Sequence, residues 1–150
     1  MEKQEIREIM IQVERTRKRL LQPYFSSLGF TLGQGQPRIL VLLSELAGEQ
    51  EGITQRELSD ACAIEVTTLS RTLDRMVEAG FIVREPHPDS RRACLIRITD
   101  LGREKAEAVR HGFQIVDDLI WQGFSEREMS NLFDGLRKIK ENLDSCEGLD

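Results

Sequence analysis

The sequence predicts a mainly α-helical fold with one small β-hairpin, an α+β chain in the order α-α-α-α-β-β-α-α. Three observations carry that prediction. Apolar residues recur at helical spacing through most of the 150 residues. Two capping patterns, Thr54-Gln-Arg-Glu57 and Ser125-Glu-Arg-Glu128, mark helix starts. The helical period breaks once, around residues 81–98, where two short β-like runs flank a turn containing proline and aspartate.

Ile6, Ile9, Met10, Val13, Leu20, Leu21 and Tyr24 predict a first helix from about residue 4 to Leu21 or a little beyond, with Pro23 near its end. The glycine-bearing run from Leu28 to Gly35 reads as a loop. Pro37 fits the first turn of a second helix, whose apolar residues Ile39, Leu40, Leu42, Leu43 and Leu46 imply burial, and Gly48 is its predicted stop. Thr54 opens the third helix, with Leu58, Ala61 and Cys62 facing inward. After a short break, Thr67 is the predicted cap of a fourth helix. There Leu69, Leu73, Met76 and Val77 form one face, and Thr68, Ser70, Arg71, Asp74 and Arg75 the other. Gly80 ends it.

Residues 81–84 and 94–98 are the predicted strands, joined by a turn over 85–93 that carries Arg91 and Arg92. The helical period then returns with Ala106, Val109, Phe113, Val116, Leu119 and Ile120. The second capping pattern opens a last helix with Met129, Leu132, Phe133, Leu136, Ile139 and Leu143.

Composition narrows the function. The net charge is -5, which alone argues weakly against a nucleic-acid partner, since counterion release needs a basic surface. The charge is unevenly spread. Residues 53–99 hold seven arginines and seven acids, so the flanks carry the whole excess, and that segment has no lysine. Guanidinium groups suit bidentate contacts to phosphates and base edges. No apolar stretch is long enough for a membrane span, and the charged N-terminus has no signal-peptide core. Three scattered cysteines, Cys62, Cys94 and Cys146, argue against a disulfide framework and for a cytoplasmic location. The two histidines, His87 and His111, stand in no catalytic or metal-binding pattern, so neither an enzyme nor a metal or cofactor site is expected. Gly33-Gln-Gly35 lacks the preceding strand and third glycine of a nucleotide loop.

Two short helices joined by a tight turn, the second with a polar and basic outer face, meet the mechanical requirement for reading a DNA major groove. With the hairpin behind them they form a winged helix-turn-helix over residues 31–99. Residues 1–30 and 100–150 are left as helical flanks. Gln55, Thr67, Thr68, Ser70, Arg71 and Arg75 are the candidate DNA-contacting residues of the helix pair, and Arg91 and Arg92 those of the wing.

The runs Leu32-Gly-Gln-Gly-Gln-Pro-Arg-Ile-Leu40, Gly52-Ile-Thr-Gln-Arg-Glu-Leu58, Thr67 to Ile82 and Pro88 to Arg103 resemble the MarR family across about residues 30–105. The resemblance implies a homodimer intertwined through the flanking helices, acting as a transcription regulator, most often a repressor, on a pseudo-palindromic operator. It also implies a crevice for a small phenolic or aromatic ligand, with Arg17, Tyr24, Arg38, His111 and Phe113 as candidate liners and Trp121 at the dimer interface. Two alternatives stay open: a thiol-based redox sensor, and a protein-interaction module without DNA binding. Two positions depart from the family pattern. Ser90 stands where Asp commonly precedes the paired wing arginines, leaving Asp89 to brace the tip instead. Ala63 stands where the turn usually has Gly, so that position either avoids positive φ or bears modest strain.

Overall fold

A computed structural model describes residues 1–31, 35–46 and 52–149. Its elements are α1 (Lys3–Ser27), α2 (Gln36–Leu46), β1 (Ile53–Thr54), α3 (Gln55–Cys62), α4 (Val66–Glu78), β2 (Ile82–His87), β3 (Ser90–Ile98), α5 (Asp100–Ile120) and α6 (Glu126–Asp144). The predicted helices and hairpin are all present, with one added short strand. Gly48 and much of the predicted loop, Leu32–Gln34, lie outside the described residues.

The chain divides into two units, Met1–Val116 and Asp117–Asp150. The core of the first joins the helix pair to the sheet. Ile39, Leu40 and Leu43 of α2 meet Leu58 and Cys62 of α3, Leu69, Leu73 and Met76 of α4, and Ile82, Ile96 and Ile98 of the strands. Val109 and Ala106 of α5 close it, with the Phe30 and Phe81 rings packed at a tilt, 5.2 Å between centres. Each large side chain so buried contributes about 1.5–3 kcal/mol relative to exposure.

Several boundaries differ from expectation. α1 runs six residues past Leu21 and contains Pro23. α4 begins at Val66 with Glu65 as the cap residue, so Thr67 sits inside the first turn and does not cap it. Thr72, not Val77, takes the remaining inward place on α4, its hydroxyl donating to the Thr68 carbonyl. Ser59 does the same on α3, where Ala61 is exposed. The strands reach further toward the tip than their apolar residues announce, because ladder pairing continues through Pro86 opposite Cys94. That leaves Pro88 and Asp89 as the turn.

β1 was not foreseen. Two residues give no periodicity to read. Ile53 and Thr54 pair antiparallel with Ile96 and Leu95, making a three-stranded sheet in the order β1-β3-β2. The Thr54 capping box forms as expected, with its hydroxyl accepting from Glu57 N–H and its own N–H donating to Glu57.

Two glycines hold the corner between the fourth helix, the sheet and the fifth helix. Gly80, at φ 79, carries the chain from α4 into β2. Gly102 seats the start of α5 on the sheet, since a Cβ there would stand 2.0 Å from the Phe81 carbonyl oxygen. Thr99 binds the same corner, its hydroxyl donating to Gly80 O at 2.6 Å and accepting from Gly102 N–H at 3.0 Å.

In the second unit, Trp121 packs edge-on against Phe124 at 5.5 Å, and Ser125 and Glu128 form the second capping box. No residue of α6 is buried. Its exposed residues include Met129, Leu132, Phe133, Leu136, Ile139 and Leu143, an apolar stripe along one face. In the first unit, α1 likewise exposes Ile6, Ile9, Met10, Ile11, Val13 and Leu20.

Candidate nucleic-acid interface

The turn between α3 and α4 is stitched from within. Ser59 Oγ donates to the Ile64 carbonyl at 2.6 Å, and the Ser59 carbonyl accepts from Ala63 and Ile64 N–H. Gln55 Nε2 reaches the Val66 carbonyl at 3.4 Å, so this candidate contact residue also ties the starts of the two helices together. Ala63 has φ 54, the left-handed conformation that glycine supplies without strain. The strained alternative foreseen for this position is the one adopted.

Burial of Leu69, Leu73 and Met76 fixes the rotation of α4. It leaves Thr67, Thr68, Arg71 and Arg75 exposed, with Ser70 half-buried at the margin. Asp74 also faces outward, but Arg84 of β2 pairs with it and donates at 3.3 Å to the Ser70 carbonyl. One acid of this face is thus neutralised from the wing. Arg97 of β3 similarly pairs with Glu85 of β2 at 2.5 Å.

Arg91 and Arg92 stand exposed just past the wing turn. The turn is held by local bonds. Asp89 N–H donates to His87 Nδ1 at 3.0 Å, and Arg92 N–H to Ser90 Oγ at 3.3 Å. Asp89 forms no ion pair with either arginine, so it does not replace the missing acid brace; the Ser90 hydroxyl supports the turn instead. Arg56, Arg71, Arg75, Arg91 and Arg92 have no intramolecular ion pair among the described residues. The arginines of this segment therefore divide into two that brace the wing and five with no ion pair among the described residues.

A second feature lies in the first unit. A cleft of about 330 Å³ is lined by Arg17, Lys18, Phe25, Phe30, Arg38 and Phe113, among others. Its walls are aromatic and its rim cationic, and Arg17 lies over the Phe113 ring at 5.7 Å. The candidates Arg17, Arg38 and Phe113 come together here. Tyr24 and His111 do not line it. Tyr24 donates to the Ala108 carbonyl at 2.7 Å and packs on Gly112, and His111 is exposed on α5. Leu21, Phe25, Phe30 and Lys18 were missed as liners: Leu21 read as part of the first helix's apolar face, Phe30 as part of the loop, and Phe25 and Lys18 carried no signal of their own. Arg38 also donates through Nη1 to the Cys62 carbonyl at 3.0 Å. Burial raises the Cys62 thiol pKa above its ordinary value, and the nearby Arg38 charge only partly opposes this. Cys62 is therefore a small core residue with little thiolate character.

A family model described as MarR family matches residues 28–93, the span from the end of α1 through the wing arginines. Over residues 28–93 the chain is a MarR-family segment. It is 28% identical over 92 residues to the HTH-type transcriptional regulator BilQ of Clostridium symbiosum, a match covering 61% of this chain and 64% of that relative. The matched segment thus spans just under two thirds of that relative's length. Among solved structures, the transcriptional regulator SlyA superposes with a TM-score of 0.78 at 28% identity, covering 92% of both chains. A mutant MarR from Escherichia coli complexed with operator DNA superposes at 0.75 and 26% identity, covering 88% of this chain and 91% of the other. The MarR resemblance seen in the motifs therefore extends through the flanking helices, and BilQ and SlyA are transcriptional regulators.

Proposed function

We propose that this MarR-family chain is a homodimeric transcriptional repressor that binds a pseudo-palindromic operator. The observation that carries the reading is the division of arginines. Arg71 and Arg75 on α4 and Arg91 and Arg92 at the wing are exposed and unspent, while the nearby Arg84 and Arg97 are committed to acids. In this reading α4 enters the major groove, with Thr67, Thr68, Ser70 and Arg71 toward base edges. The wing arginines lie along the backbone or in the minor groove. The operator DNA bound by the E. coli MarR relative supports the same role.

The apolar faces of α1 and α6 support the homodimer. Exposed stripes of that length on otherwise charged helices are what a subunit interface covers. Residues 1–30 and 100–150 then form the dimerisation region and residues 31–99 the DNA-binding module. Two modules would read half-sites about 34–36 Å apart. Among the described residues no helix is long and apolar enough to cross a membrane, consistent with action on cytoplasmic DNA. The cleft, cationic at its rim and aromatic inside, is assigned to a small aromatic or phenolic anion that modulates release from DNA.

An anisotropy titration against the DNA upstream of the protein's own operon, with a shuffled duplex as control, tests the reading. Preference for the upstream duplex supports it, and equal binding to both ends it. Sedimentation equilibrium tests the dimer, which a concentration-independent monomer mass would exclude.

A further inference from the structure

Arg38 stands at two places at once. It lines the cleft, and its Nη1 donates to the carbonyl of Cys62, the last residue of α3. That carbonyl is one of the four at a helix end with no partner inside the helix. The next residue is Ala63, the one described non-glycine residue with positive φ. The other side chains holding this turn, Ser59 and Gln55, belong to α3 itself. Arg38 reaches the turn from α2, whose first residues form a wall of the cleft. A charged donor makes a stronger bond than a neutral one, so this contact matters to a turn that is already strained. The guanidinium is also the group that a carboxylate in the cleft would seek, together with Arg17 and Lys18.

We propose that Arg38 couples the cleft to the helix-turn-helix: an organic anion draws its guanidinium from the Cys62 carbonyl, loosening the turn and weakening the hold of α4 on DNA. The proposal rests on reading the cleft as an anion site. The anion favours the released turn because it gains Arg38 only there, and by reciprocity DNA binding disfavours the anion. Arg38 is thus a positioning residue whose partner changes with occupancy.

The test uses the full-length protein, benzoate as the probe and amide hydrogen exchange as the readout. Millimolar benzoate is expected to speed exchange several-fold at Ala63 and Ile64, whose N–H groups bond to the Ser59 carbonyl. In Arg38→Gln those amides should exchange fast without benzoate, and benzoate should add nothing. Arg38→Lys, which keeps the charge but loses the fork, should fall between and guards against a folding defect in the first variant. Arg17→Gln should weaken benzoate binding while leaving the unliganded turn as slow as in wild type. If benzoate binds, by chemical-shift changes at Phe113, yet exchange at the turn is unchanged, the coupling is overturned while the anion site stands. Wild-type exchange rates in Arg38→Gln would overturn it equally. If no benzoate binding is detected, the anion reading fails and the coupling fails with it.

Discussion

Arg84 of β2 holds Asp74 of α4. The pair joins the wing to the exposed face of the fourth helix, and the same guanidinium also reaches the Ser70 carbonyl. Both partners are partly exposed, at 28% and 57% of their side chains, so the stability at stake is small. A double-mutant cycle of Arg84→Ala and Asp74→Ala is expected to give a coupling of about 0.5–1 kcal/mol in denaturant melts. The larger effect should appear in DNA affinity. Arg84→Ala exposes an unpaired carboxylate on the side proposed to face the groove, so affinity should fall several-fold, and Asp74→Ala in the same chain should restore most of it. No restoration would mean that Arg84 contacts DNA directly.

Arg92 and Thr68 should fail in different ways. Arg92→Ala is expected to weaken binding to all sequences alike and to reduce the salt dependence by about one counterion. Thr68→Ala or Arg71→Ala should change which bases are preferred, by about 1–3 kcal/mol at the affected position. A panel of single-base operator variants titrated at two salt concentrations separates the two patterns. An unchanged base preference in both helix variants would mean that α4 presents another face.

Ala63→Gly is expected to stabilise the first unit. Relief of the left-handed strain at φ 54 outweighs the extra freedom glycine has in the unfolded chain, leaving a gain of about 0.5 kcal/mol. Chemical denaturation of the two proteins side by side measures it. A loss of stability would show that the strain is already relieved by Ser59.

Glu128 gives the second unit an acid dependence of known sign. The Ser125 backbone N–H, and then its hydroxyl, hold the carboxyl below its ordinary pKa. A lowered folded value contributes stability above the unfolded pKa, which is lost as pH falls through the folded one. α6 should therefore lose helicity on acidification below the ordinary carboxylate pKa. In Ser125→Ala the Glu128 carboxyl should titrate nearer its ordinary value, which carbon-detected NMR can follow. An unchanged titration would show that the backbone bond alone sets it.

Which parts of the fold were legible follows from what each signal encodes. The capping boxes at Thr54 and Ser125 were readable because one pair of side chains both writes and satisfies them. The start of α4 was misread at Thr67 because Glu65 ends the turn without any side-chain cap bond. β1 was invisible because its pairing depends on β3, some forty residues away in sequence. The arginine-rich face could be drawn from spacing, but its division could not. Nothing in the order of residues says that Arg84 is spent on Asp74 while Arg75 is left over. The cleft was seen in part. Arg17 and Arg38 were nameable from the family resemblance, whereas Phe30 fell in the predicted loop and Phe25 and Lys18 carried no signal of their own.

The absence of lysine from residues 53–99 has one more consequence. Guanidinium groups keep their proton throughout the physiological range, and they lack the primary amine that acetylation would neutralise. The cationic side chains proposed to meet DNA thus form an attraction that neither acidity nor that enzymatic tag can turn down. With the strength of the magnet fixed, control is left to how it is held.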